Sequence, residues 1–269
     1  WPIAHSFSPI IHGCWLRTLG ISGEYTRVPV EPKDLAAFVQ SMAEQGFSGC
    51  NVTVPHKEAA LALAVERDDA AVAIGAANTL WLDQGVVCAT NTDAYGYMTY
   101  LTAQAPQWPK RDAPVLVLGA GGAARAIIYG FLSAGVSRIR LSNRSRVRGE
   151  NLQRHFGARV EVVNWEDRNR AVPGASVIVN TTTLGMKDEG DPGIDFSAAS
   201  SDAVASDIVY VPLETAFLSS ARRHGLKTVD GLGMLLHQAV PGFEKWFGVR
   251  PQVTAELYNL VKADIEGRA

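Results

Sequence analysis

The sequence predicts an α/β protein whose second half forms a parallel, doubly wound sheet. Strand and helix patterns alternate regularly from residue 115 onward, and this alternation is typical of a parallel sheet with crossover helices. A glycine motif follows the first of these strands, where such sheets bind dinucleotides. Before them, the segment 102–114 carries three prolines and no periodicity, which indicates a loop at a domain border.

The first half of the chain predicts a smaller α/β arrangement. We expect, in order, a strand, a helix, a strand, a helix and a hairpin, over residues 24–30, 32–45, 47–54, 57–66 and 75–93. Pro32 suits the first turn of the first helix, and Gly46 suits its C-terminal stop. The hairpin strands N-T-L-W-L and V-V-C-A-T-N-T are joined by D-Q-G, a sequence typical of a tight turn.

The second half supplies the elements of the parallel sheet. Its predicted strands are 115–118, 138–142, 160–164, 176–180, 205–210 and a short one near 226–229. Helices are predicted over 122–134 and 146–156, where apolar residues recur at helical spacing. Two closing helices are predicted over 232–247 and 252–266, with Pro251 in the first turn of the second.

The composition is that of a globular protein with a substantial core. Of 269 residues, 47% are hydrophobic and 19% are charged. The net charge of −2 does not favour a nucleic-acid backbone or an anionic membrane, so we expect neither as a partner. No apolar run approaches the roughly 18–20 residues that cross a bilayer. Because the sequence starts at Trp1, we expect the natural start to lie upstream; no stretch is typical of a targeting signal.

The three cysteines, Cys14, Cys50 and Cys88, are widely spaced and form no C-x-x-C pair. Such a set is typical of free thiols in a reducing compartment, which predicts a cytoplasmic protein. Free cysteines usually pack as small hydrophobic side chains. The cysteines and the six histidines show no metal-ligand spacing, so we expect no metal site.

The stretch V-L-V-L-G-A-G-G-A-A-R-A contains the pattern G-x-G-x-x-G/A, with Gly119, Gly121 and Ala124 at its defined positions. Gly119 permits a tight turn, Gly121 lets the backbone approach a pyrophosphate, and Ala124 lets helix and strand pack closely. The N-terminus of the following helix favours the anion. A methyl-donor cofactor and a turn without a ligand are the alternatives to a dinucleotide at this point.

The next strand ends in S-N-R-S-R-V-R, which carries no acidic residue. Sites selective for NAD usually place Asp or Glu there to accept a hydrogen bond from the ribose 2′-hydroxyl. Arg144 and Arg148 instead suit a 2′-phosphate, because guanidinium pairs with phosphate in a bidentate fork. Asn143 and Ser145 add polar groups beside them. The alternative is a solvated, arginine-rich surface. Because these residues stand at the ribose position of the fold, we predict that the site binds NADP.

Several polar residues stand in otherwise apolar surroundings and are candidates for a site. The stretch N-V-T-V-P-H-K-E places Lys57 where a predicted strand gives way to a helix. Ser6 and Ser8 are two apart, so in an extended segment both hydroxyls would face the same side. Each candidate also has a structural explanation, such as a solvated first-turn lysine, turn chemistry before proline or a helix cap. The other candidates are Asn78, Asp93 and Gln238.

The order and content of these motifs resemble the shikimate dehydrogenase family, which interconverts 3-dehydroshikimate and shikimate with a nicotinamide cofactor. The matching stretches are P-I-A-H-S-F-S-P, N-V-T-V-P-H-K, G-A-A-N-T, N-T-D, G-A-G-G-A-A-R-A, N-R-S, N-T-T-x-L-G-M, D-I-V-Y-x-P and D-G-L-G-M-L-x-x-Q. The resemblance extends from residue 2 to about residue 240. N-V-T-V-P-H-K and N-T-D are its most specific parts.

The resemblance implies a substrate domain of residues 1–96, completed by the C-terminal helices in 235–269, and an NADP-binding Rossmann-like domain of residues 97–234. The active-site cleft would lie between them. Lys57 and Asp93 are implied as the catalytic pair. Ser6, Ser8 and Tyr210 are implied near the substrate carboxylate, and Thr53, Asn78 and Gln238 at the ring hydroxyls. Cofactor contacts are implied for Gly119, Ala120, Gly121, Gly122, Ala123, Ala124, Asn143, Arg144, Ser145, Arg148, Thr182 and Gly231.

The implied activity is the NADP-dependent, reversible reduction of 3-dehydroshikimate in aromatic amino acid biosynthesis, by a monomer or homodimer. Hydride reduction of a ketone builds negative charge on its oxygen, so a positioned proton donor such as Lys57 is required. Gly13 and Ala94 depart from the common family pattern, which suggests a divergent branch. The alternatives are a quinate or aminoshikimate dehydrogenase with relaxed NAD/NADP use and a non-catalytic, ligand-sensing relative. Ser8, rather than threonine, favours shikimate.

Overall fold

A computed structural model of the chain describes residues 1–108, 112–186 and 189–268. It contains two compact units. The first consists of Trp1–Gly96 and Leu236–Asp264, and the second of Tyr97–Leu235 with the residues from Ile265 onward. The assignment of a substrate domain to 1–96 with 235–269, and of a cofactor domain to 97–234, stays a prediction at this point, because compactness does not show what each unit binds.

The first unit is built around a four-stranded sheet. Its elements are α1 (Ser8–Leu19), a 3₁₀ turn (Pro32–Asp34), α2 (Leu35–Gln40), β1 (Gly49–Asn51), α3 (Lys57–Leu63), β2 (Glu66–Arg67), α4 (Asp69–Ile74), β3 (Thr79–Asp83) and β4 (Val86–Thr90). The strand order is β1-β3-β4-β2, with β3 antiparallel to both of its neighbours. The predicted hairpin is confirmed as β3–β4. Gln84 and Gly85 both have positive φ, as a two-residue hairpin turn requires.

The strand predicted over 24–30 is wrong, because residues 21–31 adopt neither helix nor strand. A cavity of about 640 Å³ is lined on one side by Ser22–Val28 and on the other by Gln45–Thr53. Residues of the 24–30 segment and of β1 therefore both border this cavity. Strand-forming side chains do not make a strand when the backbone groups have no ladder partner.

Other helices and strands of the first unit are shorter than predicted. The helix predicted over 32–45 ends at Gln40, where the Ser41 hydroxyl donates to the Ala37 carbonyl at 2.7 Å and the chain turns. The strand predicted over 47–54 covers only β1, and the helix over 57–66 ends at Leu63 because Ala64 is extended. Helices α1 and α4 were not predicted. Helix α4 has only six residues and begins at the Asp68 cap. A helix of that length is too short to show a periodic pattern in the sequence.

The second unit contains the predicted doubly wound sheet. Helix α5 (Asp93–Gln104) begins in the first unit and ends in the second. The other elements of the second unit are β5 (Val115–Leu118), α6 (Gly122–Ser133), β6 (Ile139–Ser142), α7 (Arg146–Phe156), β7 (Val160–Val163), a 3₁₀ helix (Trp165–Ala171), β8 (Val177–Asn180), a 3₁₀ turn (Phe196–Ala198), β9 (Val204–Asp207), α8 (Ala216–Arg223) and β10 (Lys227–Val229). All six strands are parallel, in the order β10-β9-β8-β5-β6-β7. Two further helices follow, α9 (Leu232–Phe247) and α10 (Ala255–Arg268).

Four predictions in this half need correction. Helix α5 continues to Gln104, so the loop predicted over 102–114 starts later, and residues 109–111 lie outside the described residues. The strand predicted over 205–210 ends at Asp207, and helix α8 was not predicted. Pro251 precedes α10 rather than opening it. The helix begins after Thr254, whose hydroxyl accepts from the Leu257 amide at 3.2 Å.

Side chains on β5 show why the sheet is covered on both faces. Val115 and Val117 belong to one buried cluster, and Leu116 and Leu118 belong to another. The carboxyl ends of the central strands are in register, with Leu118 opposite Ser142 and Asn180, and Asn180 opposite Asp207. The loops that follow β5, β6, β8 and β9 therefore leave from one edge of the sheet. Ligands of open α/β sheets bind at this edge.

Candidate active site

Lys57 and Asp93 form a direct ion pair in the first unit. The Nζ atom of Lys57 lies 2.5 Å from Oδ2 of Asp93, and the two side chains are 19% and 9% exposed. Each residue is the first of a helix, Lys57 of α3 and Asp93 of α5. The helix dipole favours the aspartate at that position and disfavours the lysine, so the carboxylate compensates the lysine charge. The pair is a partly accessible proton donor held by a fixed carboxylate.

Asn78 and Gln238 join the same cluster. The Asn78 side-chain amide lies 2.8 Å from Oδ1 of Asp93 and 3.2 Å from Oε1 of Gln238, and it donates to both. Asn78 is only 2% exposed, and its Oδ1 accepts from the backbone amide of Thr92 at 2.8 Å. Four of the predicted residues, Lys57, Asn78, Asp93 and Gln238, therefore meet in one hydrogen-bonded network.

Each residue of the N-T-D motif holds a different part of this network. Asn91 donates to the Ala76 carbonyl at 2.9 Å and accepts from the Asp93 amide at 3.0 Å, so it holds the first residue of α5. Thr92 donates to the backbone carbonyl of Gln238 at 2.8 Å and so connects the motif to α9. We predicted a role only for Asp93. The unusual run of three polar residues at the end of an apolar strand was the available signal for the other two.

Ser6, Ser8 and Thr53 line the 640 Å³ cavity of the first unit. Lys57 and Asp93 are not among the cavity's lining residues. The expectation that Ser6 and Ser8 share a face of an extended segment is wrong, because Phe7 between them is helical and Ser8 begins α1. The Ser6 hydroxyl oxygen instead accepts from the Ser8 amide at 3.2 Å. The two serines still reach the same cavity.

Asn51 and Tyr25 also line this cavity, and the sequence analysis missed both. The Tyr25 hydroxyl donates to Oδ1 of Asn51 at 2.7 Å, and Asn51 donates to the Asn78 carbonyl at 3.3 Å. Asn51 thus connects the cavity to the Lys57–Asp93 network. Its position two residues before Thr53 in a predicted strand placed both side chains on one face, which was a usable signal.

Tyr210 lies in the second unit, three residues after the end of β9. It is half-buried, and burial raises the pKa of its hydroxyl above the usual value of 10.0. The hydroxyl therefore stays protonated at neutral pH and can donate a hydrogen bond. The predicted contact between Tyr210 and the substrate carboxylate stays a prediction.

The glycine loop has the features that a dinucleotide needs. Gly119 has φ of 109°, which favours glycine, and a Cβ there would lie 2.6 Å from Oγ1 of Thr181. Gly121 and Gly122 are exposed, and a Cβ on either would meet nothing within 4 Å, so their backbone is open to a ligand. Ala124 is fully buried under the sheet. These residues, with Ala120 and Ala123 beside them, fit a pyrophosphate at the N-terminus of α6.

Two arginines after β6 are exposed, Arg144 in the loop and Arg148 in the first turn of α7. Across the described ranges no acidic side chain forms an ion pair with either. Arg146 between them differs, because its Nε lies 2.8 Å from Oε1 of Glu150. Asn143 accepts from the Ala120 amide at 3.1 Å and donates to the Ser145 carbonyl at 2.8 Å, so it ties this loop to the glycine loop. The two arginines fit a phosphate group.

Thr182 and Gly231 lie beside other loops of the same sheet edge. The methyl carbon of Thr182 would be 3.0 Å from a Cβ on Gly119, so Thr182 packs on the glycine loop. A Cβ on Gly231 would lie 2.3 Å from the Ile208 carbonyl oxygen, which only glycine allows. Gly231 therefore lets the chain after β10 pack against the chain after β9.

Metal-binding clusters and membrane-spanning helices are both missing from the part of the chain that the structure describes. Among residues 1–108, 112–186 and 189–268, no three His, Cys, Asp or Glu side chains group as a metal site would require. Within the same ranges, no helix combines the length and the apolar character needed to cross a membrane.

Three family models match separate parts of the chain. Residues 1–80 match the shikimate dehydrogenase substrate binding domain, residues 103–185 match shikimate / quinate 5-dehydrogenase, and residues 231–255 match the shikimate 5′-dehydrogenase C-terminal domain. The matched regions follow the order of the motifs along the sequence.

Relatives resemble the chain over nearly its whole length. The shikimate dehydrogenase (NADP(+)) of Brucella canis is 56% identical over 268 residues, which cover 98% of this chain and 92% of that protein. The structure of shikimate 5-dehydrogenase from Thermus thermophilus in complex with NADP(H) and shikimate is 32% identical, with a TM-score of 0.85 over 100% of this chain and 97% of that one. Quinate dehydrogenase from Corynebacterium glutamicum in complex with NAD is 29% identical, with a TM-score of 0.88 over 97% and 95% of the chains.

Proposed function

The chain belongs to the shikimate dehydrogenase family, and we propose that it interconverts 3-dehydroshikimate and shikimate with NADP as cofactor. This reaction belongs to the pathway of aromatic amino acid biosynthesis. The observation that carries the proposal is the Lys57–Asp93 ion pair at 2.5 Å, which supplies a positioned proton donor for a ketone oxygen. The identity of 56% over nearly the whole chain to an NADP-dependent relative supports the choice of cofactor.

In this proposal Lys57 donates the proton that the reduced ketone requires. Bound NADPH supplies the hydride. As the carbonyl carbon accepts it, negative charge develops on the oxygen, and the ammonium group of Lys57 stabilises that charge before the proton moves. Asp93 keeps Nζ in place, and the reverse reaction returns the proton to Lys57. Asn78 fixes Asp93 through its bond to Oδ1.

Substrate recognition is proposed for the remaining polar residues that the family resemblance implies. Ser6 and Ser8 offer hydroxyls that can bind a carboxylate, together with the protonated hydroxyl of Tyr210. Thr53, Asn78 and Gln238 offer donors and acceptors that can bind ring hydroxyls. A site built to hydrogen-bond substrate hydroxyls discriminates strongly against analogues that lack them, because its own polar groups are then left unpaired.

Cofactor recognition is proposed for the glycine loop and for the two arginines, Arg144 and Arg148. The backbone of Gly119–Ala124 and the N-terminus of α6 would hold the pyrophosphate. Arg144 and Arg148 would hold the 2′-phosphate, with Asn143 and Ser145 keeping their loop in position. Thr182 and Gly231 would shape the same sheet edge.

The experiment that tests the function is steady-state oxidation of shikimate with NADP⁺ by the parent protein and by Lys57→Ala. We expect kcat to fall roughly 10²–10⁴-fold, the usual scale for a general acid–base group. KM for shikimate should change much less, because the lysine acts on charge that develops in the transition state.

The matched control is Lys33→Ala, which removes an exposed lysine that pairs with Glu31. Its kcat should equal that of the parent. A folded Lys57→Ala protein with near-normal kcat, or a parent that does not oxidise shikimate, would contradict the proposed function.

A further inference from the structure

Asp207 is a buried carboxylate at the carboxyl end of β9 with three hydrogen-bond donors and no use in the mechanism above. Its Oδ1 accepts from the Asn180 side-chain amide at 3.0 Å and from the Val209 backbone amide at 3.0 Å, and its Oδ2 accepts from the Thr215 hydroxyl at 2.7 Å. Burial raises the pKa of Asp207 to about 6, although the three hydrogen bonds act in the opposite direction. The group is therefore mostly ionised at neutral pH, a state that requires strong donors in a buried position.

Asn180, at the end of the neighbouring strand β8, is oriented by that carboxylate. Its amide nitrogen donates to Asp207 and, at 2.7 Å, to the Leu184 carbonyl. Because an amide has donors on one side only, its Oδ1 must face the other way. There it accepts from the backbone amide of Thr182 at 3.1 Å and from the Thr182 hydroxyl at 2.7 Å. Asp207, together with the Leu184 carbonyl, therefore orients the amide with which Asn180 holds Thr182.

Thr181 and Thr182 form one wall of the glycine loop. A Cβ on Gly119 would lie 2.6 Å from Oγ1 of Thr181 and 3.0 Å from the methyl carbon of Thr182. The Thr181 hydroxyl also donates to the Leu118 carbonyl at 2.7 Å, directly before the glycine loop. A displacement of Thr182 would consequently move the residues against which the glycine loop is packed.

We propose that Asp207 is a positioning residue for the dinucleotide site, which it shapes through Asn180 and Thr182 without touching the cofactor. The inference rests on the proposed function, because it takes the glycine loop as the place where NADP binds. It follows that NADP affinity depends on how well residue 207 accepts a hydrogen bond from Asn180.

The test is direct titration of NADP⁺, without shikimate, into the parent, Asp207→Asn and Asp207→Ala. The asparagine keeps the shape and one acceptor oxygen but loses the charge, and charged acceptors bond roughly twice as strongly as neutral ones. We expect the Kd for NADP⁺ to rise about threefold in Asp207→Asn and about tenfold or more in Asp207→Ala, where the Asn180 amide loses one of its two acceptors. The partial rescue by asparagine is a readout that a loss of packing alone would not produce.

Thr215→Val is the matched control, because it removes the bond to Oδ2 and leaves the bond from Asn180 intact. Its Kd should stay within about twofold of the parent, although its thermal midpoint should fall because Thr215 caps α8. An unchanged Kd in folded Asp207→Asn, or an equal rise in Thr215→Val, would overturn the proposal. If Asp207→Ala does not fold, the Kd of Asp207→Asn for NADP⁺ tests the proposal by itself.

Shikimate oxidation by the parent is measured in parallel to separate the two proposals. A parent that binds no NADP⁺ and oxidises no shikimate would contradict the proposed function itself. An active parent whose Kd is unaffected by Asp207→Asn would contradict only the role of Asp207.

Discussion

At the scale of single residues, His12 is a histidine that the fold holds in its neutral form. Its side chain is fully buried and stacks on Tyr25, with ring centroids 4.1 Å apart. Burial lowers its pKa from 6.5 to about 3, although the neighbouring Asn51 side chain acts in the opposite direction. Because Tyr25 holds Asn51, this aromatic contact supports the polar side of the cavity.

The His12 pKa predicts acid sensitivity of the first unit. A depressed folded-state pKa contributes stability that is complete above pH 6.5 and is lost as the pH falls from 6.5 toward 3. The loss is about 1.4 kcal/mol per pH unit inside that window. Between pH 7 and pH 5, we therefore expect His12→Phe to lose about 2 kcal/mol less unfolding free energy than the parent.

Urea unfolding at both pH values, followed by tryptophan fluorescence, measures this difference. The exposed His224 provides the control, since His224→Gln should keep the pH dependence of the parent. Parallel pH profiles for the parent and His12→Phe would show that His12 does not carry the acid sensitivity.

Some residues of the site could be selected from the sequence, and others could not. Lys57 and Asp93 were identified through the family resemblance, because the pattern alone also allowed a solvated first-turn lysine and a helix cap. Asn51 was missed although its spacing from Thr53 put both side chains on one face of the predicted strand, because only the fold shows that it bonds to Tyr25. His12 was not among the residues selected from the sequence, because only the fold reveals its aromatic surroundings.

At the scale of elements, α5 and α9 meet closely at Gly96 and Gln238 in the first unit. A Cβ on Gly96 would lie 2.6 Å from the Gln238 backbone nitrogen and 2.8 Å from its Cα. Backbone cannot yield as a flexible side chain can, so any side chain at position 96 must push α9 away. The glycine thus sets the position of Gln238 relative to Asn78.

Gly96→Ala should therefore damage substrate binding. We expect an increase of about tenfold or more in KM for shikimate, because lost polar contacts contribute roughly 1–3 kcal/mol. NADP⁺ affinity should stay unchanged. The control is Gly13→Ala within α1, where a Cβ would meet only Arg17 at 3.5 Å and alanine should be neutral or slightly stabilising. A normal KM in Gly96→Ala would rule out this account of the helix contact.

Arg144 and Arg146, which lie two residues apart after β6, allow a matched test of cofactor selectivity. Arg144 has no acidic partner among the described residues, whereas Arg146 is paired with Glu150. Arg144→Ala should lower kcat/KM with NADP by about tenfold or more, because charge-assisted bonds contribute roughly 1.5–3 kcal/mol, and NAD use should not change. Arg146→Ala should leave both values nearly unaltered. Equal losses in the two variants would point to a general surface charge instead.

Helices and strands could be predicted from the sequence where their own residues favour the conformation that the fold requires. The strands and helices from β5 to α7 follow from apolar runs, glycine stops and the register of a parallel sheet. The hairpin β3–β4 follows from D-Q-G. By contrast, the 24–30 segment has strand-forming residues but no partner, and β2 has two residues that pair only because β4 lies beside them. Such outcomes depend on contacts distant in sequence.

At the scale of the whole molecule, the chain divides its chemistry between two units. The first holds the Lys57–Asp93 pair with Asn78 and Gln238, and the second holds the glycine loop with Arg144. This division was predictable because the motifs of each kind occupy separate stretches of sequence. The oligomeric state expected for the protein, a monomer or a homodimer, stays a prediction.

The most direct test of the account is the kcat/KM of the parent protein with shikimate, measured with NADP and with NAD, and repeated with quinate in place of shikimate. One or two lost charge-assisted bonds at Arg144 and Arg148 predict a preference of at least about tenfold for NADP over NAD. The preference should weaken as salt concentration rises. Shikimate should be the better of the two substrates. Equal efficiency with NAD, or a preference for quinate, would contradict the assignment as an NADP-dependent shikimate dehydrogenase.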